Sequence, residues 1–387
     1  MKAAAYHGEF SIDAEFPGGN VAVVGVDEVR GEVSLKPDNR GGEWFYTHFR
    51  VCGAAGRTLR FLYEPGAERL SKVGPAVSSD GGATWRFLNA EKADAASDAF
   101  TYCFASDENE VFFATGIPYV ESNWRRFIGG LGDNPRISES VLCKSQSGRR
   151  DNELLRISGD DDAAAPYVLL FTCRHHACEM SASRVMEGVI EGALAATPES
   201  AWAKKNTVAY FVPFMDKDGV EEGEQGKARK PTDYNQDYLQ GRFNAVRAVR
   251  DLIGREAAGR KFVFLDLHAP WIRENEHDHF YFLLPQNHAQ DAFCEQFRDY
   301  FGELQSGALL RYDPRWDIPG GAPWNNAADY DKKGLMMSQV WMGRQENCLC
   351  GMCCEVGYGL AGGVYTEAGA RELGRNIYRA VIRCLKF

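Results

Sequence analysis

The residues best suited to chemistry are two histidines and a glutamate. The stretch Arg174-His175-His176-Ala177-Cys178-Glu179 comes directly after an apolar run at 167–173 (Y-V-L-L-F-T-C). Within it His176 and Glu179 form H-x-x-E, and a spacing of three lets an imidazole nitrogen and a carboxylate converge on one side of a helix's first turn. A catalytic zinc takes three protein ligands from histidine and carboxylate and leaves a fourth position open for water. The third ligand must come from elsewhere, and His268, ending Phe264-Leu265-Asp266-Leu267-His268, is the candidate. His175 is an alternative to His176, at a spacing of four from Glu179. An isolated H-x-x-E also arises by chance on helix surfaces; a strand-end histidine beside it favours a metal. His277, His279 and His288 have no partner at ligand spacing and read as structural.

Ligands drawn from distant parts of a chain need rigid elements to bring them together. From about residue 150, strand-like runs at 167–173, 207–213, 262–267, 279–284 and 353–356 alternate with helical patterns at 181–196, 244–253, 289–304 and 367–385. That rhythm predicts an α/β fold, a mixed and mainly parallel central sheet flanked by helices. Active sites of such sheets lie beyond the carboxyl ends of the strands, and His176, His268 and Glu355 all fall at or near such ends. The first ~115 residues differ. Short β-rich runs at 20–26, 43–51 and 57–63 are separated by turn chemistry such as Gly18-Gly19, 38–42 and 79–82, which predicts a small all-β sandwich. The expected organisation is a β-sandwich domain over 1–118, serving packing or specificity, and a catalytic domain over 119–387.

Composition narrows the class. The 387 residues are 44% hydrophobic and 25% charged with a net charge of −10, which fits a soluble globular protein and argues against a nucleic acid or an anionic membrane as partner. The N-terminal stretch lacks a secretory apolar core, and no run approaches the ~18–20 apolar residues of a membrane span. Eleven cysteines form no compact disulfide pattern, so reduced thiols in a cytoplasm are expected. The dense group Cys348, Cys350, Cys353 and Cys354 reads as small buried residues on a strand rather than two separated C-x-x-C pairs.

Taken in order, these residues resemble the zinc metallocarboxypeptidases, in the branch that includes the cytosolic carboxypeptidases. The resemblance is carried by H-A-C-E (176–179), D-L-H (266–268) and C-E-V-G-Y-G (354–359). Between them, Phe214-Met215-Asp216-Lys217-Asp218-Gly219-Val220 and Asp233-Tyr234-Asn235-Gln236 stand where the family has N-P-D-G-V and D-x-N-R. In the first half, Phe16-Pro17-Gly18-Gly19-Asn20, Trp44-Phe45-Tyr46 and Ala114-Thr115-Gly116-Ile117-Pro118-Tyr119 resemble the branch's β-domain and its connecting A-x-x-x-P-Y segment.

The resemblance implies a zinc carboxypeptidase-like fold with one zinc per chain on His176, Glu179 and His268. It further implies Glu355 as the base that takes a proton from a metal-activated water and passes it to the leaving amine. Asp233 would hydrogen-bond a ligand imidazole, Arg229 would face the developing oxyanion, and Asn235 and Gln236 would bind substrate. One departure stands out. The family arginine that grips a terminal carboxylate is Gln236 here, a donor without charge or a guanidinium fork. Either Arg229, Lys230 or Arg344 substitutes, or the substrate is not an ordinary peptide with a free C-terminus. The leading expectation is a cytoplasmic zinc hydrolase cleaving a C-terminal peptide or amide bond. The alternatives are an amidase or deacylase for a small amidated metabolite, and a non-catalytic zinc-binding relative.

Overall fold

The computed structural model of the chain describes residues 5–66, 68–89, 92–358 and 364–386; Gly359, at the end of C-E-V-G-Y-G, lies outside them. Seven strands build the central sheet, in the spatial order Ile137–Lys144, Asp151–Ile157, Thr207–Val212, Tyr167–Cys173, Lys261–His268, Cys348–Val356 and Phe280–Leu283. The inner four run parallel, and antiparallel strands flank them on both sides. Strands covered on both faces must be apolar throughout. Accordingly, every residue of Thr207–Val212 and all but the first of Tyr167–Cys173 are buried.

Helices Ser181–Leu194, Asp291–Gln305 and Glu367–Lys386 cover one face, and Asn244–Glu256 covers the other. Ser181–Leu194 and Glu367–Lys386 cross closely at two glycines. A Cβ on Gly188 would lie 2.1 Å from the Arg371 carbonyl oxygen, and one on Gly374 equally near that of Val185.

The first half folds as two sheets, one of six strands and one of five. They share a core in which Phe49 and Phe113 of one sheet meet Phe61 and Phe100 of the other at ring separations of 5.3–5.8 Å. This is the expected sandwich. The expected strand at 43–51 begins only at His48. Trp44, Phe45 and Tyr46 leave the sheet because their rings find larger apolar partners outside it: Trp44 meets Trp271 edge-on at 4.4 Å, and Phe45 meets Tyr358 at 5.5 Å. Phe45 and Tyr46 belong to the same core as the central sheet.

Candidate metal centre

Three parallel strands deliver the site. Cα pairing sets Thr172 beside Asp266 and His268 beside Glu355, so the loop after Tyr167–Cys173 opens next to both. That loop starts at Arg174 with a φ of 61°, unfavourable for a side-chain-bearing residue. Its guanidinium holds the turn by donating to the Tyr119 carbonyl at 2.8 Å, to Ser183 Oγ at 3.1 Å and to the Ala177 carbonyl at 3.1 Å. H-x-x-E therefore lies in a turn before the helix, which begins at Ser181, with Glu179 N–H reaching the His176 carbonyl at 3.3 Å.

The side chains converge. His176 Nδ1 is 2.8 Å from one Glu179 oxygen and His268 Nδ1 is 2.7 Å from the other. One donor atom from each of the three lies within 4.8 Å of the rest, and all three residues are buried. His175, Asp266 and His268 form a second such group, but both His175 nitrogens are engaged, Nδ1 by Asp266 and Nε2 by the Tyr238 hydroxyl, each at 2.9 Å. His176 is the residue whose Nδ1 faces the common point.

Asp266 sets the tautomers. Its carboxylate is fully buried and accepts from Thr172 Oγ1 at 2.8 Å, His175 Nδ1 at 2.9 Å, His268 Nε2 at 2.9 Å and Ser338 Oγ at 2.5 Å. An ionised carboxylate only accepts, so His268 keeps a proton on Nε2, and its Nδ1, 2.7 Å from Glu179, is the nitrogen that can give up its proton to a cation. His175 is likewise protonated on Nδ1, and its Nε2 accepts the Tyr238 hydroxyl proton. Asp233 stands beside His176 in the same way, its Oδ1 3.5 Å from Nε2, a contact longer than a formed hydrogen bond. His176 Nε2 and Glu355 Oε2 are buried atoms without a hydrogen-bond partner.

The electrostatics favour a cation. Burial works to raise the Glu179 carboxyl, but His176, His268 and Lys227 outweigh it and hold it well below the ordinary range. Burial opposes charge on His268, yet Asp266 and Glu179 push it well above the usual histidine range. Two imidazoles and an ammonium thus crowd one buried carboxylate, as a single divalent ion would. A donor set of two imidazoles and a carboxylate is that of a catalytic zinc site, and these residues fit one. Glu355 differs: burial first and Glu179 second push its carboxyl up to about 7, against His268, Lys227 and His176.

The centre opens into a cavity of about 370 Å3, bordered by His176, Glu355, Asn235 and Gln236. Arg229 does not reach it. Its guanidinium is ion-paired with the buried Asp216, and with Glu224 at 2.6 Å, so two carboxylates hold it away from the site. The cation that enters is Lys227, with Nζ 3.4 Å from His176 Nδ1, 3.6 Å from Glu179 Oε1 and 5.4 Å above the Trp44 ring. Gly226, at φ +74°, permits this; a Cβ there would lie 2.2 Å from the Ala177 nitrogen. His277 also lines the cavity, its Nδ1 3.2 Å from the Tyr281 hydroxyl, whereas His279 stacks on Trp316 and His288 pairs with Asp291 at an exposed site. Trp44, Trp271, Tyr281, Trp324 and Tyr330 supply the aromatic part of the wall. Sequence reasoning gave none of these rings a site role, since they come from loops and edges with no shared spacing.

No protein-family model matches the chain. Among curated proteins it is similar to cytosolic carboxypeptidase 3 of Bos taurus, 25% identical over 68% of this chain, and to cytosolic carboxypeptidase 2 of Homo sapiens, 26% identical over 66%. It spans about a third of their length, 30% and 32% respectively. Solved structures match nearly end to end. A metallo-carboxypeptidase from Burkholderia cenocepacia has a TM-score of 0.79 at 19% identity, covering 97% of this chain and 99% of that one. A metallo-carboxypeptidase from Pseudomonas aeruginosa, in complex with (2-guanidinoethylmercapto)succinic acid, has a TM-score of 0.77 at 20% identity with the same coverage. The chain thus has the metallo-carboxypeptidase fold and is a sequence relative of the cytosolic carboxypeptidases.

Proposed function

We propose that the chain is a zinc-dependent hydrolase of metallocarboxypeptidase type, cleaving a peptide or amide bond near the end of its substrate. The observation that carries this reading is the meeting of His176 Nδ1 and His268 Nδ1 on the two oxygens of Glu179, with Glu355 beside them at the cavity. His176, Glu179 and His268 would hold the ion, one per chain. When bound, zinc polarises a scissile carbonyl and makes a water more acidic. Asp266 keeps the His268 lone pair directed at the ion, and Asp233 steadies His176. Glu355, buried beside these ligands, takes the proton from the attacking water and returns it to the leaving nitrogen. Lys227, rather than Arg229, balances the negative charge that grows on the carbonyl oxygen. The aromatic wall excludes water and packs against the substrate. The relatives are named cytosolic, which supports a cytoplasmic location for this chain too.

The test is metal analysis joined to turnover. Purified protein should carry one zinc per chain, lose it in His268→Ala, and lose hydrolysis of blocked dipeptide derivatives on chelation, with recovery on adding zinc. Zinc retained in His268→Ala, or hydrolysis indifferent to chelation, would refute the reading.

A further inference from the structure

The cavity wall carries neutral amides where an anionic substrate would need a charge. Asn235, Gln236 and Gln339 all border it. Asn235 Oδ1 accepts the Ser338 backbone N–H at 3.1 Å, which leaves its NH2 group as the donor it can offer a ligand. Gln236 is fixed through its backbone, its N–H on Asp233 Oδ1 at 3.1 Å and its carbonyl on the Met336 N–H at 3.0 Å, and the residue borders the cavity. Gln339 is buried, its Oε1 3.3 Å from Ser338 Oγ.

Among the described residues bordering this space, Lys227 is the one lysine or arginine. It is engaged at the reacting end by Glu179 and Trp44. The other cations of the neighbourhood are committed elsewhere. Arg229 belongs to Asp216 and Glu224, Arg344 pairs with Asp331 at 2.9 Å, Lys230 is exposed, and Lys333 lies 5.9 Å over the Tyr330 ring without bordering the cavity. The acidic groups Glu179, Glu355 and Asp233 already crowd the centre. A substrate carboxylate set against these amides would exchange water for neutral donors alone, which is costly for an unpaired anion. A carboxamide offers one donor group and one acceptor, the complement of each lining amide.

We propose that the leaving amine of the substrate ends in an uncharged carboxamide, so that the substrate class is the C-terminally amidated peptide or N-acyl amino-acid amide. The inference rests on the hydrolase reading above. The acyl–nitrogen bond breaks, a water oxygen bonds to the acyl carbon, and the nitrogen gains the proton; the products are a carboxylate and an amino-acid amide whose terminal CONH2 is untouched.

Three probes test it on the zinc-loaded full chain: N-benzoylglycyl-phenylalanine amide, the same compound as the free acid, and the phenethylamide, which has no terminal carbonyl group. The released amine is identified by chromatography. The amide should exceed the phenethylamide in kcat/KM by about tenfold for its lost hydrogen bonds and the acid by on the order of 100-fold. Gln236→Arg should raise the acid about 10- to 100-fold and lower the amide. Preference of the wild type for the acid overturns this inference and leaves the hydrolase reading standing. Equal cleavage of amide and phenethylamide overturns it too, because the lining amides would then recognise nothing. Cleavage of none of the three, with zinc bound, overturns both readings.

Discussion

Asp266→Asn isolates the residue that aims the second histidine. The substitution keeps the shape and removes the charge. Of the four donors on this carboxylate, the asparagine oxygen can keep His268 and Ser338 while its NH2 group turns to Thr172 and His175. His175 can adapt by moving its proton to Nε2 and donating to the Tyr238 oxygen, but the buried Thr172 and Tyr238 hydroxyls then lose the acceptors of their own protons. Two imidazole–carboxylate bonds, each worth about 1.5–3 kcal/mol, become neutral bonds of about half that value, a loss of about 1.5–3 kcal/mol, and the two stranded hydroxyls add about 1–3 kcal/mol each, for a folding cost of about 3.5–9 kcal/mol. Removing a carboxylate behind a metal-bound imidazole typically weakens metal affinity by about 10- to 100-fold. Asp266→Ala leaves four buried donors without an acceptor, at about 1–3 kcal/mol each, enough to unfold a protein of ordinary stability. Burial works to raise the Asp266 carboxyl, but His175 and His268 hold it well below the ordinary range. Its contribution to stability is therefore complete above the ~4 of an unfolded aspartate and is lost as pH falls through the folded value. Chelator competition gives the zinc affinity, and urea unfolding of metal-free protein gives the folding cost. Asp266→Asn with lowered stability and wild-type zinc affinity would refute the aiming role.

Glu355→Gln should keep its zinc and lose turnover by several orders of magnitude, as measured by metal content and kcat. A base must be ionised to act, so wild-type kcat/KM should rise with pH through a limb at or below about 7, because a bound cation favours the carboxylate over its cation-free value; a limb well above 7 would assign the base elsewhere. Lys227→Met should lower kcat by about 10²–10³ with little change in KM, and should leave zinc affinity equal or higher because it removes a like charge from the ion's neighbourhood. Gly226→Ala should cost at least ~1 kcal/mol for the left-handed backbone alone, read by urea unfolding, and should also lower kcat by displacing Lys227. Deletion of residues 1–118 should give insoluble protein, since it uncovers the rings packed on Phe45 and Trp44; a soluble, monomeric, zinc-loaded remainder would show the halves to be independent.

Features that depend on periodicity and on strand ends were legible in the sequence. The runs at 167–173 and 207–212 are apolar without alternation because helices cover both faces of the sheet, and that pattern can be read without coordinates. His268 and Glu355 could be placed because each closes a strand, where side chains of a parallel sheet meet a common edge. Lys227 could not be told from Arg229. Both lie in an aperiodic loop, and which one faces His176 and Glu179 depends on the φ of Gly226 and on backbone bonds from Gln225 and Gly226 to Arg40 and Gly41, distant in sequence. His277 read as structural because a cavity wall needs no ligand spacing. The strand expected at 43–51 lost its first residues to aromatic contacts that outweighed their β-propensity.

Those contacts explain why a sandwich without a catalytic group of its own bears on the centre. The loop that carries Lys227 meets the second half through the Cys178 N–H on the Gln225 carbonyl at 3.1 Å, and it is tied to the first half at several points. Gln225 N–H donates to the Arg40 carbonyl at 3.0 Å and Gly226 N–H to that of Gly41 at 2.9 Å, while the Gln225 side chain binds the Tyr46 backbone through both its oxygen and its nitrogen at 2.9 Å. Asn20 Nδ2 donates to the Gly223 carbonyl at 2.6 Å. Trp44 then supplies the ring beneath the Lys227 ammonium. A flexible lysine loses much rotamer freedom when fixed, and in an unbraced loop it would hydrate rather than stay beside a metal. We therefore read the boundary near residue 118 as topological, with the β-half acting as the brace that sets one cation against the proposed ligands His176 and Glu179.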